Sequence, residues 1–307
     1  MRTDEAPRRL IFAGATTLDY IFRVDHMPTG PGKLLPIEMA EVAHGMAASA
    51  AAAAARLGGD CMLISRAGAD LAGDRIVADL ERDGVDCRFV KRFDEARSAI
   101  CAVLVDSEGE RLAVPYYDKA LPTGAEWLPL DRVVEADAIL VDVRWPQGAA
   151  AILRAARDAG VPAVLDADVA PKEVIGDLVE LCSHAVFSEP AALALSGRET
   201  VTEAVEALAV RYDCFVAVTA GPLGCYWVED GGVRHSKPPR VVAVDTLAAG
   251  DVFHGAFTLA LAEGMPIADI IDFANAAAAI KCETFGGRLG APDRRQVMTV
   301  LEKKVTS

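Results

Sequence analysis

Two carboxylates, Asp245 and Asp251, flank a run of small residues at 248–250 in the segment VVAVDTLAAGDVFHGAF. The β-branched start of this segment, VVAVD, predicts a strand, and the apolar spacing after the small residues predicts a helix. Backbone N–H groups at a helix start lack intrahelical partners and favour an anion. Small side chains let a phosphate approach that backbone closely. The segment therefore has the composition of a phosphate-binding turn.

Asp251 needs a separate explanation, because a carboxylate beside an anion site repels the anion. One explanation is that Asp251 removes the proton from a hydroxyl group that attacks the phosphate. The other is that Asp251 is an ordinary acid at a helix start and binds free N–H groups. The segment alone leaves both interpretations open.

A second turn with small residues occurs in VTAGPLGCYWV, where Thr219, Gly221 and Gly224 stand between two predicted strands. Glycines that follow a buried strand permit a nucleotide to approach the strand ends, where α/β sheets bind their ligands. A turn with this glycine spacing is, by itself, more often a simple hairpin.

Short apolar runs alternate with amphipathic stretches over most of the chain. The amphipathic stretches cover residues 72–84, 148–160 and 200–212, and the apolar runs cover residues 9–14, 61–68, 137–142, 162–167, 184–189 and 214–221. This alternation is typical of a parallel sheet with helices on both faces, whose strands read as continuous apolar runs. We expect an α/β fold with a doubly wound, mostly parallel sheet.

Two regions interrupt this alternation, at about residues 16–42 and 97–118. Both contain alternating or hairpin-like strands without helices, and DSEGE at 106–110 is a turn between two of them. We expect them to form a small β lid over the main sheet. Because no long Pro/Ser linker separates the regions, residues 1–307 are expected to form a single domain.

The overall charge excludes some classes of partner. The net charge is −14, from 45 acidic against 31 basic residues, which argues against nucleic acid or an anionic membrane. Seven scattered cysteines without a C-x-x-C pair suggest neither a zinc knuckle nor a redox pair. No apolar stretch has the length of a signal peptide or a membrane span, so a cytoplasmic location is expected.

Together these features resemble the ribokinase-like (PfkB) family of carbohydrate kinases over nearly the whole chain. The family's C-terminal signature D-T-x-G-A-G-D-x-F reads DTLAAGDVF here, beginning at Asp245. The resemblance implies that Asp251 is the base for the acceptor hydroxyl group. It implies that the backbone of Ala248, Ala249 and Gly250 forms an anion hole, with ATP as donor and Mg²⁺ bridging its phosphates.

The same resemblance assigns the nucleotide-binding residues. Thr219, Gly221 and Gly224 match the nucleotide-binding turn of the family, and Asn275 falls near its adenine pocket. The family's N-x-x-E motif, which helps to organise magnesium, reads SEPA here, so that Glu189 is its substitute.

A monovalent cation such as K⁺ is also implied by the resemblance. Many members of the family hold one where this chain has Asp245, Thr246 and the FGG segment that ends at Gly287.

For the acceptor, the resemblance implies that Asp19 binds sugar hydroxyl groups; without it, Asp19 reads as a turn acid. The family's N-terminal signature has a Gly-Gly pair and an Asn, and here AHGMAAS supplies His44, Gly45 and Ser49 instead. We expect Gly45 to let the sugar lie against the backbone.

Several segments look closer to one branch of the family, the sulfofructose kinases. That branch binds a sulfonate with a Lys and an Arg, which match Lys33 and Arg144. Both also read as ordinary surface cations, and pairing with Asp142 is a further interpretation of Arg144. It also uses an Asn near the position of Pro115, which has no N–H to donate. A sugar that bears an anionic group is therefore expected as acceptor, and a related ketose or sugar acid is the competitor.

The resemblance leaves other functions open. Ala248 replaces a family glycine, and its methyl group is compatible only with a negative φ. The alternatives are ribokinase, fructokinase, 2-keto-3-deoxygluconate kinase or a nucleoside kinase, or a non-catalytic sensor of sugar or nucleotide. Lid strands with exposed edges commonly need covering, so a homodimer through the lid is expected.

Overall fold

The computed structural model of the protein describes residues 6–305. Thirteen strands and nine α-helices occur in that range. The strands are β1 (Arg9–Gly14), β2 (Thr17–Arg23), β3 (Glu38–His44), β4 (Asp60–Gly68), β5 (Val85–Phe93), β6 (Ile100–Val105), β7 (Arg111–Tyr116), β8 (Ala138–Asp142), β9 (Ala163–Ala167), β10 (His184–Ser188), β11 (Phe215–Thr219), β12 (Cys225–Glu229) and β13 (Gly232–Ser236). The helices are α1 (Met46–Arg56), α2 (Leu71–Arg82), α3 (Pro146–Ala159), α4 (Lys172–Val179), α5 (Glu189–Ser196), α6 (Val201–Arg211), α7 (Ala249–Ala262), α8 (Ile267–Lys281) and α9 (Arg294–Val305).

The main sheet has nine strands in the order β13-β12-β11-β10-β9-β8-β1-β4-β5. The seven strands from β11 to β5 pair in parallel, and β12 and β13 add an antiparallel edge. The strand order reverses at β1, which lies between β8 and β4. In open α/β sheets this reversal point, at the carboxyl ends of the strands, is where ligands bind.

The strands are buried on both faces, as their apolar runs predict. Every residue of β8 and β9 is buried. Helices α1, α7 and α8 contribute to the core on one face of the sheet, and α3 to α6 contribute to the core on the other. The predicted doubly wound, mostly parallel sheet is confirmed.

Small residues bring α1 and α7 into close contact. A Cβ atom on Gly255 would lie 2.2 Å from the carbonyl oxygen of Ala50, so no larger residue fits there without moving the backbone. The alanine-rich α1 therefore packs directly on the helix that carries Asp251.

A second sheet of four strands has the order β3-β2-β6-β7. Its strands fall in the two regions that interrupt the α/β alternation; that this sheet acts as a lid stays a prediction. Its inner face packs against Leu247 and Phe285. The buried apolar side chains of that face are Ile21, Val42, Cys101, Val103 and Val105.

The segment VVAVD is not a strand, contrary to the sequence prediction. Residues 241–245 form no sheet pairing, and Val242 is 83% exposed. The amides of Val244 and Asp245 both donate to the carbonyl oxygen of Cys282, at 2.8 and 3.1 Å. Because these amides are bound at the end of α8, the β-branched residues cannot join a sheet, and tertiary contacts override their strand propensity.

No helix in the described range, residues 6–305, is both long and apolar enough to cross a membrane.

Candidate active site

Helix α7 begins within the run of small residues, at Ala249, and Gly250 in its first turn is exposed. Ala248 is the residue before the helix, and within the described chain no side chain caps this end. The interpretation of Asp251 as a capping acid is therefore not supported, although Asp251 does stand in the first turn. Uncapped N–H groups at a helix N-terminus suit a phosphoryl group.

Ala248 has φ 66° and ψ 6°, which corrects the expectation that its φ is negative. This left-handed conformation costs an L-residue with a Cβ atom roughly 1–2 kcal/mol, and glycine adopts it freely. The turn keeps the backbone path that a glycine would give it and stores strain beside the start of α7.

We expect Ala248→Gly to stabilise the protein by about 1 kcal/mol. Glycine relieves the strain of the positive φ, and the greater entropy that it gives the unfolded chain offsets only part of this gain. Urea unfolding measures the change, and activity should be retained. Ala155→Gly in the interior of α3 is the matched control and should destabilise by about 1 kcal/mol. Destabilisation by both variants alike would contradict the strain at Ala248.

Asp251 is half-buried and lies among charged groups. Burial raises the pKa of its carboxyl well above the ordinary value, and the negative charge of Asp166 raises it further. His254 and Arg111 act in the opposite direction. A carboxylate with a raised pKa is a stronger base, as the removal of a hydroxyl proton requires.

Two acids at the carboxyl end of β9, Asp166 and Asp168, suit a hard cation. Asp166 Oδ2 is buried without a hydrogen-bond partner in the described structure, and its pKa is raised by burial and by Asp168. Oxygen donors of this kind bind Mg²⁺. No three acid, His or Cys side chains of the described residues converge into a metal cage. The site therefore fits an ion that is held mainly by ligand phosphates and assisted by Asp166 and Asp168.

A cavity of about 550 Å³ opens beside the N-terminus of α7. Its wall includes Thr219, Gly221, Gly224 and Asn275, which are the predicted nucleotide-binding residues apart from Glu189. The residues from the small-residue turn that also line it are Thr246, Ala249 and Gly250. The volume is in the range of small-molecule sites.

The two glycines of this wall differ in what they do. Gly221 has φ 52° with open space where a Cβ would be, so it leaves the cavity free. Gly224 has φ 96°, and a Cβ there would lie 2.1 Å from the carbonyl oxygen of Ser236. Asn275 Nδ2 donates to that same oxygen at 3.1 Å. Glu189, the remaining predicted nucleotide-binding residue, is the first residue of α5 and does not line this cavity.

On the acceptor side, Asp19 lies on β2 and is 4% exposed. Thr17 Oγ1 donates to Asp19 Oδ1 at 2.5 Å, and His44 Nδ1 lies 3.6 Å from Asp19 Oδ2. Burial raises the pKa of Asp19 to about 6, and the Thr17 hydrogen bond opposes this increase. His44 Nε2 has no partner within the described residues. Buried polar atoms without a partner are uncommon and suggest a ligand.

Gly45 and Ser49 stand where α1 starts. Gly45 has φ 104°, and a Cβ on it would lie 2.4 Å from the carbonyl oxygen of Ala15. The glycine is thus required by backbone packing, in addition to any contact with a sugar. Ser49 Oγ is fully buried and lacks a partner in the described part of the chain.

The two predicted sulfonate-binding cations lie in different environments. Lys33 is exposed in the loop between β2 and β3. Arg144 Nη2 forms an ion pair with Asp168 at 3.0 Å, and Nη1 donates to the carbonyl oxygen of Val169 at 2.8 Å. Pro115 lies on the same cross-strand row of the small sheet as Asp19.

Sequence reasoning missed Arg111, which is on β7 of the small sheet. Its Nη1 donates to the carbonyl oxygen of Thr246 at 3.2 Å, and its charge acts on Asp251. Only the folded chain brings this residue to the small-residue turn, 135 positions away.

Comparison with known proteins identifies relatives over nearly the full length. The profile of the pfkB family carbohydrate kinases matches residues 8–294. Ribokinase of Haemophilus influenzae is 29% identical over 311 residues, which cover 96% of this chain and 99% of the relative. The ATP-dependent ribose-1-phosphate kinase of Halopiger xanaduensis is 30% identical over 303 residues, which cover 96% and 99%.

A solved structure extends the similarity to three dimensions. The crystal structure of a presumed ribokinase from Agrobacterium tumefaciens has 44% sequence identity and a TM-score of 0.96, and the match covers 98% of this chain and 100% of that one. The prediction of a ribokinase-like kinase is confirmed, while the resemblance to the sulfofructose kinases stays a prediction. On the family match and the relative at 30% identity, this chain belongs to the pfkB family of carbohydrate kinases.

Proposed function

We propose that this kinase transfers the γ-phosphoryl group of ATP to a hydroxyl group of ribose. The observation that carries the proposal is the continuity of the 550 Å³ cavity with the uncapped start of α7. A nucleotide in that cavity directs its phosphates at the helix N-terminus, and Asp251 stands in the first turn of that helix. The names of the relatives, ribokinase and ribose-1-phosphate kinase, support ribose or a ribose derivative as acceptor.

The transfer needs one base and one anion site. Asp251 accepts the proton of the acceptor hydroxyl group, whose oxygen forms a bond to the γ-phosphorus. The bond from that phosphorus to the bridging oxygen breaks, and ADP leaves with the bonding electrons. Backbone N–H groups at the start of α7 stabilise the negative charge on the transferred group.

Asp166 and Asp168 are the residues of this chain that would hold Mg²⁺ together with the phosphates of ATP, and the ion would supply positive charge against the charge that develops during transfer. Arg144, through its ion pair with Asp168, holds that carboxylate in place.

Two observations, one on Arg144 and one on Pro115, favour ribose over sulfofructose as acceptor. Arg144 is bound to Asp168 and Val169 instead of being free for a sulfonate. Pro115 on the row of Asp19 supplies no donor. An anionic acceptor remains the second candidate, because Arg111 brings a positive charge to the turn and one relative is a ribose-1-phosphate kinase.

A panel of acceptors tests the proposal, with formation of ADP as the measurement. The panel contains ribose, ribose 1-phosphate, fructose, sulfofructose, 2-keto-3-deoxygluconate and a nucleoside. The highest kcat/KM is expected with ribose. If the wild type prefers ribose 1-phosphate and Arg111→Ala loses this preference, ribose 1-phosphate replaces ribose as the proposed acceptor. If the wild type prefers sulfofructose and Arg144→Ala loses this preference, sulfofructose replaces ribose. Calorimetric binding of ATP and sugar without turnover would support the sensor interpretation.

We also propose a homodimer that forms through the small sheet. Three side chains of β7 alternate along its outward face and are largely exposed: Leu112 (47%), Val114 (62%) and Tyr116 (50%). Ile100 of β6 is the register partner of Tyr116 and extends this apolar face. A continuous apolar face on a sheet with an open edge favours association with a second copy.

Val114→Lys should shift the protein from dimer to monomer, because the dimer would bury an unpaired charge. Sedimentation velocity measures the change. Val210→Lys is the matched control, since Val210 on α6 is 90% exposed and lies outside this face. Dimers that persist in Val114→Lys would rule out the lid as the interface.

A further inference from the structure

At the position where a monovalent cation is implied, both carboxylate oxygens of Asp245 already accept hydrogen bonds. Asp245 is fully buried, and its Oδ1 accepts a hydrogen bond from the amide of Leu247 at 2.8 Å. Its Oδ2 accepts bonds from the amides of Gly286 and Gly287, at 2.9 and 2.8 Å. Gly287 thus presents a donor toward this carboxylate, whereas a cation site needs acceptors.

A side-chain ammonium lies at the same corner. Lys281 is the last residue of α8 and has no exposed surface. Its Nζ donates to the main-chain carbonyl oxygen of Asp245 at 2.5 Å and lies 3.7 Å from Asp245 Oδ1. One positive charge therefore contacts both the carbonyl and the carboxylate of the residue that was expected to bind the ion.

The neighbouring carbonyl oxygen has a cationic partner as well. Thr246 O accepts from Arg111 Nη1 at 3.2 Å. His44 reports the resulting positive potential: its pKa is lowered to about 3, first by burial and then by the charges of Arg288, Lys281 and Arg111. A free cation would meet repulsion here, so these residues do not fit K⁺.

We propose that the Lys281 ammonium is the cation of this corner, built into the chain, and that the enzyme needs no monovalent cation. Lys281 is a positioning residue. It compensates the buried charge of Asp245, whose carboxylate holds Leu247 and, through it, the turn that leads to α7. Because the ammonium is covalently attached, the order of the turn does not depend on the concentration of a dissociable monovalent cation. A positive charge at the carboxyl end of α8 is also favoured by the helix dipole.

The wild-type protein gives the first test, and it needs no acceptor sugar. Thermal unfolding and calorimetry are compared in KCl, NaCl and choline chloride at matched ionic strength, so that general screening is constant. The same Tm in the three salts and no heat of K⁺ binding are expected. A Tm raised specifically by K⁺, with saturable binding, would overturn the proposal even if ribose proved to be the wrong acceptor.

Lys281→Ala gives the second test, because it removes the charge and opens space for a small cation. Its Tm should fall, and K⁺, NH₄⁺ or methylammonium should restore it selectively over choline. The effect on catalysis rests on the proposed kinase activity: kcat is expected to fall about tenfold and to recover with the same ions. Lys172→Ala, at an exposed lysine of α4, should show neither effect.

Two outcomes of the variant would contradict the proposal. One is a Tm and a kcat equal to those of the wild type in choline chloride. The other is a loss of Tm and kcat in Lys281→Ala that no small cation restores, together with wild-type behaviour of Lys281→Met. In that case packing of the side chain, and not its charge, would hold the turn. If Lys281→Ala fails to fold, the comparison of salts on the wild type still decides whether a free cation binds.

Discussion

Asp251→Asn should lower kcat by about 10³-fold, the largest effect expected for a single substitution in this protein. The amide keeps the size of the side chain but cannot accept the hydroxyl proton. Because burial and Asp166 raise the pKa of Asp251, the native carboxylate is a stronger base than an exposed one. KM for ATP should change little, since the substitution leaves the cavity that we propose for the nucleotide intact. Steady-state formation of ADP with ribose measures both constants.

The matched control is Asp269→Asn, at an exposed acid in the first turn of α8. It should leave kcat within about twofold of the wild type. The loss of kcat in Asp251→Asn should not be accompanied by a loss of stability. The substitution removes a carboxylate whose ionisation is unfavourable in the folded protein, so the variant should not unfold at a lower temperature than the wild type. An Asp251→Asn variant with full kcat would show that another group removes the proton.

Asp19→Asn should lower kcat/KM for ribose by about 100-fold, the second largest effect. We expect the carboxylate of Asp19 to accept two hydrogen bonds from neighbouring hydroxyl groups of the sugar. When these charge-assisted bonds become neutral ones, the free energy of binding the sugar is weakened by about 3 kcal/mol. KM for ATP should stay the same. In the wild type, kcat/KM should fall as the pH drops through about 6, since Asp19 is protonated there and Asp251 also has a raised pKa.

The stability of this variant should change in the opposite direction to its activity. The folded pKa of Asp19, about 6, lies above the ordinary 3.8, so the folded state holds the proton more tightly than the unfolded state. The stabilisation that this tighter proton binding gives the folded state is complete below pH 3.8 and is lost as the pH rises through 6. Asp19→Asn should therefore raise the free energy of unfolding at pH 8 by about 1–2 kcal/mol.

Urea unfolding at pH 5 and pH 8, beside the kinetics, measures this opposition. Asp25→Asn, at an exposed acid just beyond β2, should change neither quantity. Unchanged kcat/KM in Asp19→Asn would exclude Asp19 from acceptor binding, whatever the change in stability.

Features of the site that depend on local sequence could be predicted. The alternation of apolar runs and amphipathic stretches predicts the parallel sheet, because strands buried on both faces must be apolar throughout. Small residues before an amphipathic helix predict an accessible helix start, which the structure has at Ala248. Glycines after β11 predict a wall that leaves room for a ligand, and Gly221 does leave room.

Features that depend on distant contacts could not be predicted. VVAVD has strand propensity, yet the amides of Val244 and Asp245 donate to the carbonyl oxygen of Cys282 and the segment lies outside the sheet. The positive φ of Ala248 follows from the path of the whole turn, not from the residue itself. The sequence suggests a sulfonate or Asp142 as the partner of Arg144, but folding places its guanidinium against Asp168.

The sequence by itself determined the fold class, the family and the residue types that face a phosphate, because these depend on periodicity and on short motifs. Only the tertiary structure decided which charges meet. Lys281 is 36 positions from Asp245, and Arg111 is 135 positions from Thr246, so no motif links either pair. Electrostatic energy depends on distance in space and on burial, and neither quantity can be read along a chain.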